Sequence, residues 1–361
     1  MKRIGPIQRK RQIGYVRRRT VRNIRRAWKK SRRKYRFVEP RLDSRGRLVA
    51  PVYVQLTSDY GLELIQFINQ VERRVLIKQE QIVLSFWQTE RFSAEGTLLL
   101  FAELDRIVAH ASIPKPISIR DPWRRRPREV LKQVLMHEIT GDKCEIVPTR
   151  EDVIHWRSIK GVDQSGVPSG EFLIEALRRA REGGPIKFDE AAVWPGLNEA
   201  QNNTIDHAYE FSRTRGISVR PATGSRWWMF YQLRDGVFSV AVCDLGCGYA
   251  NTIDKTIPEA VSSWLKSLRS SDCNDTQAIK IAMEYGRTRT GQSERGKGSR
   301  NALEVLNANP GAKLLVYSNG GLVTYTNSAG ETDLAISESA FNFNIGGTIV
   351  QWIIPVVSKL S

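Results

Sequence analysis

At 361 residues, 41% of them hydrophobic and 26% charged, the chain is long enough for two domains with real cores, which excludes a mini-protein and a wholly disordered chain. No apolar run approaches the roughly 18 residues of a membrane helix; the longest candidate is Gly96 to Ala102, and no apolar stretch follows the first methionine as a secretory leader would require. Four cysteines (Cys144, Cys243, Cys247 and Cys273) without framework spacing point to a reducing compartment, so the expected location is cytoplasmic, with no transmembrane contact.

The formal charge of +18 is concentrated in a tail. Residues 1 to 38 hold 17 of the 56 Lys and Arg and no acid, which leaves 39 basic against 38 acidic residues for the rest. Such a stretch cannot bury a core and its like charges repel, so alone it is expected to be disordered. Val21, Ile24, Trp28 and Tyr35 would share one stripe of a helix, with Arg and Lys on the other sides. Phosphate backbone, an acidic protein surface and anionic lipid all suit that pattern, and DNA or RNA suits it best. The residues expected to touch phosphates are Arg17, Arg18, Arg19, Arg22, Arg25, Arg26, Lys29 and Lys30.

From 46 to 145, short apolar runs alternate with helical patterns. Strands are expected at 51–56, 81–86 and 116–119, and helices at 62–76, 94–110 and 128–137, which implies βαβ units and a small parallel or mixed sheet. Residues 146 to 170 end in GVDQSGVPSG and read as a linker. A second, α+β domain runs from 171 to 361. It opens with helix EFLIEALRRAREG, continues in a helix with Pro195 at its first position, and then forms a hairpin about Arg234, Asp235 and Gly236. Further hairpin-type strands are expected at 313–327 and 347–356. His137 and the Cys243/Cys247 pair read as ordinary packing residues, and Trp227, Trp228 and Phe230 as one buried strand.

Three segments carry candidate chemistry. In LNEAQNNTIDHAYEF, a helix would bury Leu197, Ala200, Thr204 and Ala208 and set Glu199, Asn203 and Asp206 on another face. A carboxylate and a carboxamide one turn apart can orient a water and complete a Mg²⁺ shell, although a solvated helix face has the same pattern. In VAVCDLGCGYANTID, Asp244 ends a strand and is followed by Gly246 and Gly248, which suits either a carboxylate facing the amine of adenine or a plain turn. In TRTGQSERGKGSRNALEVL, Arg287, Arg289, Gly291, Gly296, Lys297 and Gly298 precede a helix, an arrangement suited to anions and also to a flexible basic loop.

In this order, and followed by Gly347 and Thr348, the three segments together resemble the GHKL superfamily of ATP-binding domains (gyrase, chaperone, histidine-kinase and mismatch-repair ATPases). Glu199 to Asp206 resembles its N-box, Asp244 to Gly248 its first glycine box, Gly296 to Gly298 its second, and Thr348 its threonine near adenine. The resemblance covers about residues 171 to 361. It implies an α/β sandwich with helices on one face of a mixed sheet, a mobile lid from Lys255 to Arg295, and ATP with Mg²⁺ as ligands. Glu199 would be the catalytic base and Asn203 the metal ligand, with Asp206, Asp244, Gly246, Gly248, Arg287, Arg289, Gly291, Gly296, Lys297, Gly298 and Thr348 around the nucleotide. The first half resembles, more faintly, a STAS domain, with Ser93, Ala94, Glu95 and Gly96 where that family has Asp-Ser-x-Gly, so the phosphorylated serine is replaced by Ala94. The pairing implies a bacterial regulatory ATPase switch of stress response or phage defence, or else an anti-sigma-type protein-serine kinase acting on a partner protein. A homodimer is a further candidate.

Overall fold

The computed structural model describes residues 41–57, 59–154, 156–161, 189–216, 226–256, 275–288, 298–328 and 334–356. Its architecture is mixed α/β. The basic tail and the expected helix EFLIEALRRAREG lie outside the described residues.

In the first half, β1 (Leu48–Val49), β3 (Ile82–Ser85) and β5 (Ile117–Arg120) form a three-stranded sheet in that order, with both pairings parallel. Parallel neighbours need crossovers, supplied here by α1 (Gly61–Glu72) and α2 (Ala94–His110). A second pair, β2 (Tyr53–Val54) with β4 (Arg91–Phe92), is also parallel. Helix α2 occupies the predicted span because its signals are local. Ser93 accepts from the Gly96 amide at 3.3 Å as N-cap, and a side chain at Gly96 would bring a Cβ within 2.5 Å of the Val54 carbonyl, so only glycine allows the helix to start against β2. The single helix expected at 128–137 is instead α3 (Arg125–Gln133) and α4 (Met136–Thr140), separated by a left-handed Leu135 at φ 61°.

Among the described residues, the second half is built on a seven-stranded sheet. Its strands are β6 (Arg157–Gly161), β7 (Trp227–Arg234), β8 (Val237–Asp244), β9 (Lys313–Ser318), β10 (Gly321–Thr326), β11 (Ala335–Ala340) and β12 (Thr348–Pro355), in the order β11-β10-β9-β12-β8-β7-β6. Every neighbouring pair is antiparallel, which corrects the expected mixed sheet. Tight turns join β7 to β8 and β9 to β10, and only antiparallel strands can use such turns. Asp235 (φ 52°) and Gly236 (φ 70°) form the first turn at the predicted place, with both residues left-handed, as a two-residue hairpin loop favours.

The stretch 146–170, expected to be a linker, contains a short helix α5 (Glu151–Ile154) and the edge strand β6. RSIKG carries one large apolar residue and two cations, the composition of a protected sheet edge, so it gave no strand signal.

Both faces of the sheet are covered, whereas helices were expected on one face only. Alternation along β7 and β8 sends Trp227, Met229, Tyr231, Phe238, Val240 and Val242 toward α6 (Glu190–Asn203), α8 (Asp275–Thr288) and α9 (Gly298–Ala308). Trp228, Phe230, Ala241 and Cys243 point the other way, into a core continuous with the first half and packed under α2. The residues expected as one buried strand do form one, β7, with their side chains divided between two cores. Among the described residues, no helix is long and apolar enough to cross a membrane.

Candidate functional site

Helix α6 starts earlier than expected, because Asp189 rather than Pro195 sets its N-terminus. The Asp189 carboxylate accepts from the Ala192 amide at 3.3 Å, which leaves Pro195 inside the helix on its exposed side. The stripe of Leu197, Ala200, Thr204 and Ala208 is buried as its spacing required. After Asn203 the backbone widens into a π-helical turn, Thr204–Ala208.

On the other face Glu199, Asn203 and Asp206 come together. Burial raises the Glu199 carboxyl above its ordinary value and the nearby Asp206 charge adds to this, while His207 and a hydrogen bond with Asn203 pull it down. A carboxylate with raised proton affinity, hydrogen-bonded to a carboxamide, is suited to exchanging a proton with a bound water.

Asp244 ends β8, directly opposite Thr348 at the start of β12. Its carboxylate is buried and accepts from the Gly246 amide at 2.8 Å and from the backbone and hydroxyl of Thr348. Burial outweighs these bonds, and the acid is pushed up to about 6. It is therefore mostly ionised at pH 7, a buried acceptor for a donor group.

The two clusters meet through backbone. The Cys247 amide donates to the Ala208 carbonyl at 2.8 Å, and Gly246 lies so close to that carbonyl that any Cβ would overlap it. Gly248, at φ 77°, is similarly pressed against Asn319, whose amide side chain donates to the Cys247 carbonyl at 3.0 Å. Tyr249, which opens α7 (Tyr249–Thr256), has its hydroxyl raised by burial and by the charges of Asp244 and Glu199, so it lies within electrostatic reach of both. Cys243 and Cys247 are buried thiols with raised proton affinity, the latter at about 11, in keeping with packing roles.

Behind Asp244 lies a set of side chains that the sequence did not advertise. Arg213 donates from Nε to the Gly346 carbonyl at 2.7 Å and from Nη2 to Glu103 of α2 at 2.7 Å. Arg215 bonds the same Glu103 carboxylate, the Ile345 carbonyl at 3.0 Å and Asn69 at 2.8 Å. Thr214 between them donates to Asn319 at 2.6 Å. The Arg213 charge also reaches Asp244. SRTRG shows neither periodicity nor motif; the one available signal was two arginines in an otherwise polar loop of the near-neutral body.

Several candidates are not placed here. Arg17 through Lys30, Arg289, Gly291, Gly296 and Lys297 lie outside the described residues. Arg287 falls in α8 and Gly298 in α9. Within the stretch expected as a mobile lid, α8 is anchored: Ile279 and Met283 are buried in the core, and Asp275 accepts from the Gly320 amide at 2.9 Å. No protein-family model and no curated protein matches the chain.

Proposed function

We propose that the chain is an ATP- and Mg²⁺-dependent regulatory ATPase switch, with a GHKL-type nucleotide domain in its second half and a STAS-like module in its first. The observation that supports this most is the pairing of Asp244 with Thr348 at adjoining strand ends, joined through Ala208 and Gly246 to the helix that carries Glu199 and Asn203. The residues suit the ligands. Asp244 is a buried acceptor of the kind an exocyclic amine requires, and Asn203 offers a hard oxygen atom of the kind Mg²⁺ prefers, one turn from Glu199. Bound Mg²⁺ would neutralise phosphate charge. Asn203 would hold it, and Glu199 would take a proton from the attacking water.

With γ-labelled ATP, free phosphate is the expected product. Label on a protein would favour the anti-sigma-type serine kinase, and neither product would leave a nucleotide-binding module. Glu199→Ala is expected to keep ATP binding and lose turnover by roughly 10²-fold or more. Asn203→Ala is expected to lose Mg²⁺-dependent binding. Undiminished turnover in either variant removes the role assigned to that residue.

The basic arm, residues 1 to 38, is proposed to deliver the switch to DNA or RNA in stress response or phage defence. Its deletion is expected to abolish salt-sensitive retention on both nucleic acids while leaving the nucleotide chemistry intact. Unchanged retention would refute the arm's role.

A further inference from the structure

We propose that Asp121, His137 and Cys144 bind a divalent transition-metal ion, zinc in the first instance, at a site independent of the nucleotide pocket. The three come from neighbouring pieces of the first half: Asp121 follows β5, His137 lies in α4, and Cys144 lies in the segment after α4. Their donor atoms, one oxygen, one nitrogen and one sulfur, all lie within 4.8 Å of one another, and no other such group of His, Cys, Asp and Glu occurs among the described residues.

The donor set decides the class of ion. A thiolate and an imidazole disfavour Ca²⁺ and Mg²⁺, which take oxygen, and suit zinc, which accepts all three ligand types. The distances are within reach of coordination. His137 Nε2 already sits 2.9 Å from Asp121 Oδ1, a pair held by one shared proton. A tetrahedral ion with bonds of about 2.0–2.3 Å spaces its ligands roughly 3.3–3.6 Å apart. Replacing that proton with the ion would therefore open the N–O pair by a few tenths of an ångström.

His137 is only 3% exposed, and its Nδ1 is buried with no hydrogen-bond partner, so the ring is held from the Asp121 side alone. A coordinate bond at Nε2 would take the place of that single hydrogen bond and leave Nδ1 as it is. Asp121 and Cys144 are partly exposed, which leaves the ion a route in and water a fourth position. Coordination would pin α4 and the chain after it to the end of β5.

The test uses full-length protein stripped with a chelator and then titrated with Zn²⁺ or Co²⁺. One equivalent is expected to bind, to raise the melting temperature and, with Co²⁺, to give a thiolate-to-metal charge-transfer band. Because His137 is buried and its replacement threatens folding, the partly exposed ligands carry the decision. Cys144→Ser is expected to abolish the band and weaken zinc roughly tenfold or more, and Asp121→Asn to weaken zinc comparably while keeping the band. Cys273→Ser is expected to change nothing. Failure to bind either ion, or binding that survives Cys144→Ser undiminished, overturns the proposal.

Discussion

Glu103→Gln is expected to lower conformational stability by about 3–5 kcal/mol, the cost of leaving buried charge without its partner. Glu103 is fully buried on α2 and faces three guanidinium groups: Arg106 at 2.7 Å, Arg213 at 2.7 Å and Arg215. Arg106 keeps a second carboxylate, Glu72, at 2.7 Å. Arg213 and Arg215 share the Glu103 carboxylate, and burial already pulls Arg215 down to about 10. Glutamine preserves shape and one acceptor but removes the charge that holds the two arginines in place. Because the network joins α2 to the 344–347 loop, the loss should appear in urea unfolding as a lower midpoint, and the two halves should lose coupling.

An apolar replacement of Glu103 together with two of its arginines, Glu103→Leu with Arg213→Met and Arg215→Met, leaves Arg106 with Glu72 and is expected to recover most of that stability, since buried ion networks often contribute little beyond their own desolvation cost. A single variant as stable as the parent would show that the network carries no such weight. The pH behaviour has a definite sign. Three cations hold the Glu103 carboxyl well below the usual carboxylate range, so its contribution is fully present above about pH 4.3, the unfolded value, and is lost only as pH falls toward the folded one.

What the sequence disclosed depended on whether a signal was local. Helix α2 and the hairpin at Asp235 and Gly236 were legible because capping and turn residues act within a few positions. The buried stripe from Leu197 to Ala208 and the shared face of Glu199, Asn203 and Asp206 were legible for the same reason, helical spacing, although the turn from Thr204 to Ala208 is wider than that spacing assumes. Strand β6 and the wholly antiparallel order were not, because an edge strand needs little apolar pattern and pairing is decided by distant partners. The double covering of the sheet was hidden too. Alternation along β7 shows two apolar faces, but not that α2 from the first half covers one of them. Least visible were Arg213 and Arg215, since a buried arginine is recognisable only once Glu103 is seen beside it.

Asp244→Asn is expected to stabilise the ligand-free protein and, on the nucleotide reading, to abolish its response to ATP. In the parent, burial pushes the acid from its ordinary value of 3.8 to about 6, so at pH 7 the fold carries an ionised carboxylate that it would rather hold protonated. A shift of roughly two units corresponds to up to about 3 kcal/mol of stability forgone at neutral pH. Asparagine keeps an acceptor for the Gly246 amide without the charge, so about 1–3 kcal/mol should return as a higher melting temperature. The sign with pH follows. Parent stability rises as pH falls through 6 toward 3.8, because the folded acid takes up its proton first, and the variant lacks that rise, so the two curves converge near pH 4. Glu199, with a raised carboxyl, contributes in the same direction, and His110, whose ring burial pushes below its ordinary value, in the opposite one. Both are common to parent and variant and cancel in the difference. A residue chosen only for packing would not carry a charge that the fold disfavours, whereas a residue that must accept a ligand's amine would. Thermal shifts of both proteins with and without ATP and Mg²⁺, from pH 4 to 8, separate the cases. A less stable variant refutes the electrostatic argument, and a variant that ATP still protects refutes the role of Asp244 in binding.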